Sequence, residues 1–174
     1  MKKIVLKFGF IGGAFLVAMI FVMRLIMGDS NDFSKGEGAG YIFMIGGFSM
    51  VFWAIREYRD KLNNGYINFN TGFRVGILVS LVASLCYVAG WMIYFYFIET
   101  SFVEKYTAYY FKVIESGGFT PSEIAKQKQD FSLSMEQYKN PFVMMLYTLL
   151  KVFPLGLIVT ILCSMLMKRT EKQS

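Results

Sequence analysis

A lysine stands alone in the last apolar run of the chain, MMLYTLLKVFPLG, with a proline three residues on. Lys151 is a charge that needs a partner in such surroundings. Pro154 should kink a helix there and free backbone carbonyls near the ammonium group. Glu99, at the end of the preceding apolar run, is the carboxylate expected to answer Lys151. The stretch 142–167 makes roughly 39 Å of helix, longer than the ~30 Å hydrocarbon core, so it is expected to project outward and carry Lys151 into the outer third. An interfacial anchor is the first reading of this lysine and a functional charge the second. Arg24 lies near the outer end of the first run and can snorkel to the headgroups.

Other chemistry is scarce. The chain has no histidine, which removes the commonest general base, the commonest metal ligand and the usual triads. No carboxylate falls inside an apolar run, so neither paired-acid catalysis nor an intramembrane proton relay is supported. Gly36, Gly38 and Gly40 lack the spacing and the Lys-Ser/Thr of a phosphate loop. Asp29, Asn31 and Asp32 fail the calcium-loop pattern because Phe33 takes a ligand position. Cys86 and Cys163 both sit in apolar runs, as small hydrophobes and not as a disulfide or metal pair. No enzyme activity, metal or cofactor is expected.

The elements that carry these residues are membrane spans. Of 174 residues, 55% are hydrophobic and 17% charged, against about 45–50% and about 25% in a soluble domain. The apolar residues come in blocks free of charge: 8–23, 38–55, 75–98 and 152–167. Spanning takes about 17–25 residues. The fold class is therefore all-α, one polytopic membrane domain with four transmembrane helices at about 8–27, 38–55, 75–98 and 145–167. The first block is long for a signal peptide, and no small-x-small cleavage site follows it before Gly28, so it is read as an uncleaved span.

Basic residues orient the spans. Lys2, Lys3, Lys7, Arg56, Arg59, Lys61, Arg74, Lys168, Arg169 and Lys172 fall on one side, where the termini and the 56–74 loop lie. The other side holds lysines matched by more numerous acids. Both termini are expected in the cytoplasm. The net charge of +6 reflects that bias and not nucleic-acid binding, since no basic stripe is interleaved with stacking aromatics. In REYRDKLNNGYINFNTGFRVG, Arg56, Arg59 and Lys61 anchor the second span, Arg56 and Asp60 make an i,i+4 pair, and Asn64-Gly65 turns the chain. Tyr66, Ile67 and Phe69 can rest in the interface, and Asn68 or Asn70 can cap the next helix. Arg56, Arg59 and Asp60 are candidates for a cytoplasmic docking surface.

Between spans three and four, residues 99–140 read as an extracytoplasmic helical hairpin. Phe102, Tyr106, Tyr109, Tyr110 and Val113 give a helix over 101–116. Thr120-Pro121-Ser122-Glu123 is a capping box that opens a second helix, with Ile124, Phe131, Met135 and Tyr138 as its thin apolar stripe. GDSNDFSKGEGAG, between the first two spans, is expected to be a solvated connection. Within the spans, Gly72, Gly76, Ser80 and Ser84 recur at four-residue steps, as do Gly156, Thr160 and Ser164, and Gly9 and Gly13 behave likewise. Such stripes mark helix contacts, within one chain or between copies. Trp91, Tyr94, Tyr96 and Trp53 fit aromatic belts.

Several pieces in fixed order carry a family resemblance: MKKIVLKFG, GYIFMIGGFSMVFWAIREYRDK, NNGYINFNTGFRVG, FVEKY, YKNPF and FPLGLIVTILCSMLMKR. Over essentially its whole length the chain resembles the bacterial membrane proteins of domain of unknown function 4199, found mostly in Bacteroidetes. The resemblance implies a four-span inner-membrane protein and brings no activity, substrate or catalytic residue. It departs from that family's pattern at Lys151, where an acid is frequent, and at the start of the third span, where Asn68 and Thr71 replace a serine-and-glutamate cap. The function expected is non-enzymatic binding of lipid or of a membrane partner, whether another protein or a further copy, through the spans or the outer hairpin. The alternative is a small oligomeric transporter or channel subunit lined by Ser80, Ser84, Tyr87, Thr160 and Ser164.

Overall fold

A computed structural model describes residues 1–27 and 34–169, excluding the side chains of residues 26, 27 and 34–37. The described chain is helical: α1 (Lys2–Met27), α2 (Ser34–Phe48), α3 (Met50–Leu62), α4 (Phe69–Ile93) with a π-helical turn (Tyr94–Ile98), α5 (Phe102–Ser116), α6 (Pro121–Tyr138) and α7 (Pro141–Met167). Among the described residues, four segments are long and apolar enough to cross a membrane: Lys2–Leu25, Gly38–Leu62, Phe69–Ile98 and Pro141–Met167.

The second span is α2 and α3 joined at Ser49. Its hydroxyl donates to the Gly46 carbonyl at 2.6 Å, a back-bond of the kind that bends helices. This span runs past 55 to Leu62, because nothing in REYRDKL breaks a helix. At its other end the expected connection GDSNDFSKGEGAG is partly helical, since α2 already begins at Ser34. No proline stops the helix from continuing into these polar residues. Residues 28–33 of that connection, with the Asp29–Asn31–Asp32 cluster, lie outside the described residues, as do 170–174 and Lys172.

Two registers of small residues set the bundle. α4 and α7 run antiparallel, and each four-residue step up one is met by a step down the other. Gly72 faces Ser164, Gly76 faces Thr160, and Gly156 faces Ser80 and Phe48. A methyl on Gly76 would stand 2.8 Å from Thr160 Cγ2, and one on Gly156 2.7 Å from the Phe48 ring. The Ser80 hydroxyl donates to the Gly156 carbonyl at 3.1 Å and lies 3.0 Å from Thr160 Oγ1. Ser164 donates to the Thr160 carbonyl at 2.7 Å. Ser84 is also buried, and its hydroxyl has no partner among the described residues. The stripes are contacts within one chain, made because close backbone approach gives the dispersion and hydrogen bonding that lipid cannot supply.

α1 and α4 run parallel. Gly9 packs on Val82, Gly13 on Cys86, and Val17 on Gly90. Leu16, Met44, Phe48, Ala83 and Val152 fill the middle of the bundle. Val51, Ile55, Val75, Val79 and Met167 fill the end where the chain begins, joined by Ile67.

That terminal end is clasped by the 63–69 turn. Asn64 and Gly65 both adopt positive φ, 51° and 83°, as a tight turn requires. Asn68 Oδ1 accepts from the Thr71 N–H at 2.8 Å and caps α4. Ile67 does not rest in an interface. It is 1% exposed and exchanges two backbone hydrogen bonds of 2.9 Å with Arg169, because pairing with the end of α7 carries its side chain into the core.

Candidate functional site

Among the described residues, the charged group most enclosed by protein is Glu99, at the end of the bundle opposite the turn. It follows directly on the π-helical turn. There the Glu99 N–H donates to the Tyr94 carbonyl at 2.8 Å, the wider i→i+5 spacing of a π turn. The chain then bends, and the Phe102 N–H donates back to the Glu99 carbonyl at 3.1 Å. Only 8% of Glu99 is exposed. Its Oε1 accepts from Ser101 Oγ at 2.6 Å and from Lys105 Nζ at 2.9 Å. Its Oε2 lies 3.3 Å from Arg24 Nε. One carboxylate thus ties α1, the end of α4 and the first turn of α5.

Electrostatics fix its state. The hydrogen bonds from Ser101 and then Lys105 hold the carboxyl below the usual glutamate range against the opposing effect of burial, and the Lys105 and Arg24 charges add to them. Glu99 is therefore ionised at neutral pH with both oxygens engaged. It cannot take up a proton there and is not presented as a nucleophile. Its chemistry is that of a fastening.

Aromatic rings complete the junction. Trp91 Nε1 donates to the Tyr138 hydroxyl at 2.9 Å, and the Tyr96 hydroxyl donates to the Lys139 carbonyl at 2.7 Å. Phe95 packs edge-on to Phe102 and Tyr138. Trp91 and Tyr96, expected as belt residues, join α4 and its π turn to the end of α6 and the segment before α7. An open cleft of about 310 Å³ lies beside them, bounded by Phe95, Tyr96, Thr100, Val103, Glu104 and Lys139.

The α5–α6 pair rests on this junction. Phe131 of α6 stacks on Tyr110 with centroids 4.0 Å apart and also meets Tyr106 and Phe111. Lys128 pairs with Glu115. Ile114, not Val113, is the α5 residue that becomes buried, and Val113 stays 44% exposed. The capping box forms as the sequence requires, with the Thr120 N–H donating to Glu123 Oε2 at 2.9 Å. No residue of α6 is fully buried, although Ile124, Phe131, Met135 and Tyr138 are half-buried.

Two expectations about charge are corrected. Lys151 does not meet Glu99, whose oxygens are already taken by Ser101, Lys105 and Arg24. The α4–α7 register places Lys151 level with Leu85, about 21 Å along the helix axis from Glu99. Its side chain is exposed on the outside of α7. Arg24 is no mere headgroup anchor, since it is paired with Glu99. Sequence reasoning missed that pair, although the parallel register of α1 and α4 carries the signal. Seven residues beyond Val17 is Arg24, and seven beyond Gly90 is Phe97, two short of Glu99.

At the terminal end the docking candidates form a clasp. Asp60 meets Arg59 at 2.7 Å and, as the i,i+4 spacing predicted, Arg56 at 3.6 Å. Arg59 Nη1 donates to Met167 Sδ at 3.4 Å, and the Arg56 guanidinium lies 5.6 Å from the Trp53 ring centre. Glu57 receives Lys7 at 2.8 Å and Lys61 at 3.3 Å.

The family described as a protein of unknown function (DUF4199) has a model that matches residues 7–169. No curated protein and no solved structure matches the chain.

Proposed function

The chain belongs to the DUF4199 family, and from that premise we propose that it is a multi-pass inner-membrane protein that works by binding and not by catalysis. In this reading both termini are cytoplasmic, and the α5–α6 pair stands outside the membrane, where it meets a partner protein or lipid. The observation that carries it is α6, an entire helix with no buried residue, which the ring contacts of Phe131, the Glu99 fastening and the Trp91–Tyr138 bond hold in place. A helix with no fully buried residue leaves most of its surface free for a partner to meet.

The terminal end supports the orientation, because it gathers Lys7, Arg56, Arg59, Lys61, Arg74, Lys168 and Arg169. Against the channel alternative, Ser80, Thr160 and Ser164 of its expected lining are buried and bonded within the α4–α7 seam, which leaves Ser84 and Tyr87 of that lining.

A photo-crosslinking amino acid at exposed Leu133 or Phe119 (58% and 45% exposed) tests the reading in intact cells. The same defined protein or phospholipid adduct from both positions is expected. No adduct from either position contradicts it.

A further inference from the structure

Lys151 is exposed on α7 and makes no hydrogen bond or ion pair among the described residues. Its depth follows from register. Gly76 opposite Thr160 and Gly156 opposite Ser80 bring Leu85 level with Lys151. The central residue of the second span Gly38–Leu62 is Met50, which packs on Gly12. Gly12 lies one residue before the Gly13–Cys86 contact, so the centre of that span is also level with Leu85. The centres of the first and third spans fall within about 3 Å of the same height at 1.5 Å per residue. Lys151 is therefore a mid-membrane charge that faces away from its own bundle.

Lipid is a poor neighbour for it. A lysine stem reaches about 6 Å, against about 15 Å from the middle of the hydrocarbon to either edge. Ionisable side chains at such depth face protein or water and are paired. A second polar group lies beside it. Pro154, also exposed, has no N–H to give the Leu150 carbonyl. Around this donor and acceptor the face is apolar, with Tyr147, Leu150 and Ile158 each more than half exposed.

We propose that this face of α7 seats a transmembrane helix of a different membrane protein, which brings an aspartate or glutamate at mid-membrane depth to the Lys151 ammonium. A second copy of this chain does not fit. The acids of its described spans, Glu57 and Asp60, lie near a span end and are already paired, and symmetric packing sets lysine against lysine. The inference rests on the binding reading above but uses a different surface from α5 and α6.

The test places a photo-crosslinking residue at Tyr147 in the full chain in its native membrane, and at Ile42 on the second span as a control. The expected result is an adduct from Tyr147 alone, to a membrane protein whose crosslinked segment carries an intramembrane acid. Its yield falls at least about tenfold (about 1.4 kcal/mol) in Lys151→Met and survives in Lys151→Arg. Exchanging the charges, Lys151→Glu with the partner's acid changed to lysine, restores it. Adducts to lipid only, to a second copy only, or to a partner whose capture is indifferent to Lys151→Met overturn the proposal. Adducts from Leu133 that persist in Lys151→Met show that the binding reading stands even where this inference falls. Insertion is checked by thermal unfolding of Lys151→Met in detergent, where loss of an outward-facing charge leaves the monomer as stable as the wild type.

Discussion

Gly76 of α4 and Thr160 of α7 approach so closely that a methyl on the glycine would stand 2.8 Å from the threonine Cγ2, with Val51 Cγ1 at 3.0 Å on its other side. Four residues earlier, the same methyl on Gly72 would meet Ser164 at an ordinary 3.5 Å. Gly76→Ala is therefore expected to destabilise the detergent-solubilised protein by about 1–3 kcal/mol through overpacking. Gly72→Ala should be neutral or stabilising by up to about 1 kcal/mol, since alanine is the better helix former. Thermal unfolding of the two variants side by side separates a tight seam from a loose one.

The two buried serines of the seam should respond oppositely. Ser80 donates to the Gly156 carbonyl and lies within bonding distance of Thr160, so Ser80→Ala should cost about 1 kcal/mol. Ser84 has no partner for its hydroxyl among the described residues, so Ser84→Ala should be neutral or stabilising. Equal losses at both positions would mean that Ser84 is bonded in the native protein.

Glu99 gives a pH-dependent prediction. Its carboxyl is held below its ordinary value of 4.5, so the unfolded chain takes up the proton first as pH falls. Its contribution to stability is thus fully present above about 4.5 and is lost as pH drops through the lowered native value. Glu99→Gln should be less stable than wild type by about 1–3 kcal/mol at neutral pH. That gap should hold down to about pH 5 and close below it. Taking the difference between the two proteins removes Glu123, which is lowered in the same direction by its capping bonds to Thr120. A gap that stays constant to pH 3 would remove Glu99 from the account of acid sensitivity.

Much of the scaffold was legible because its signals are local. Charge-free blocks mark the spans, Thr120 and Glu123 mark a helix start, and Asn64-Gly65 marks a turn. The small-residue steps on α4 and α7 were legible as contacts, though not as contacts with each other. Partners distant in sequence were not legible. Glu99 was matched to Lys151 because both stood out among apolar residues, whereas Arg24 and Lys105 reach it through the parallel register of α1 and the bend after the π turn. Height within the bundle was not legible for a similar reason. The length of one apolar stretch says how far a helix can project, but only its register against neighbours says where Lys151 sits. Ile67 went astray because a lone backbone bridge to Arg169 leaves no periodic trace.

Display of the α5–α6 pair on the face opposite both termini is the claim on which the binding account depends. Labelling of single cysteines in spheroplasts with a membrane-impermeant maleimide measures it directly, with the natural Cys86 and Cys163 lying within the spans as the unlabelled background. Lys126→Cys on α6 should label at once, and Lys2→Cys should label only after lysis. Lys2→Cys labelling in intact spheroplasts while Lys126→Cys stays protected would place the pair in the cytoplasm and contradict the account.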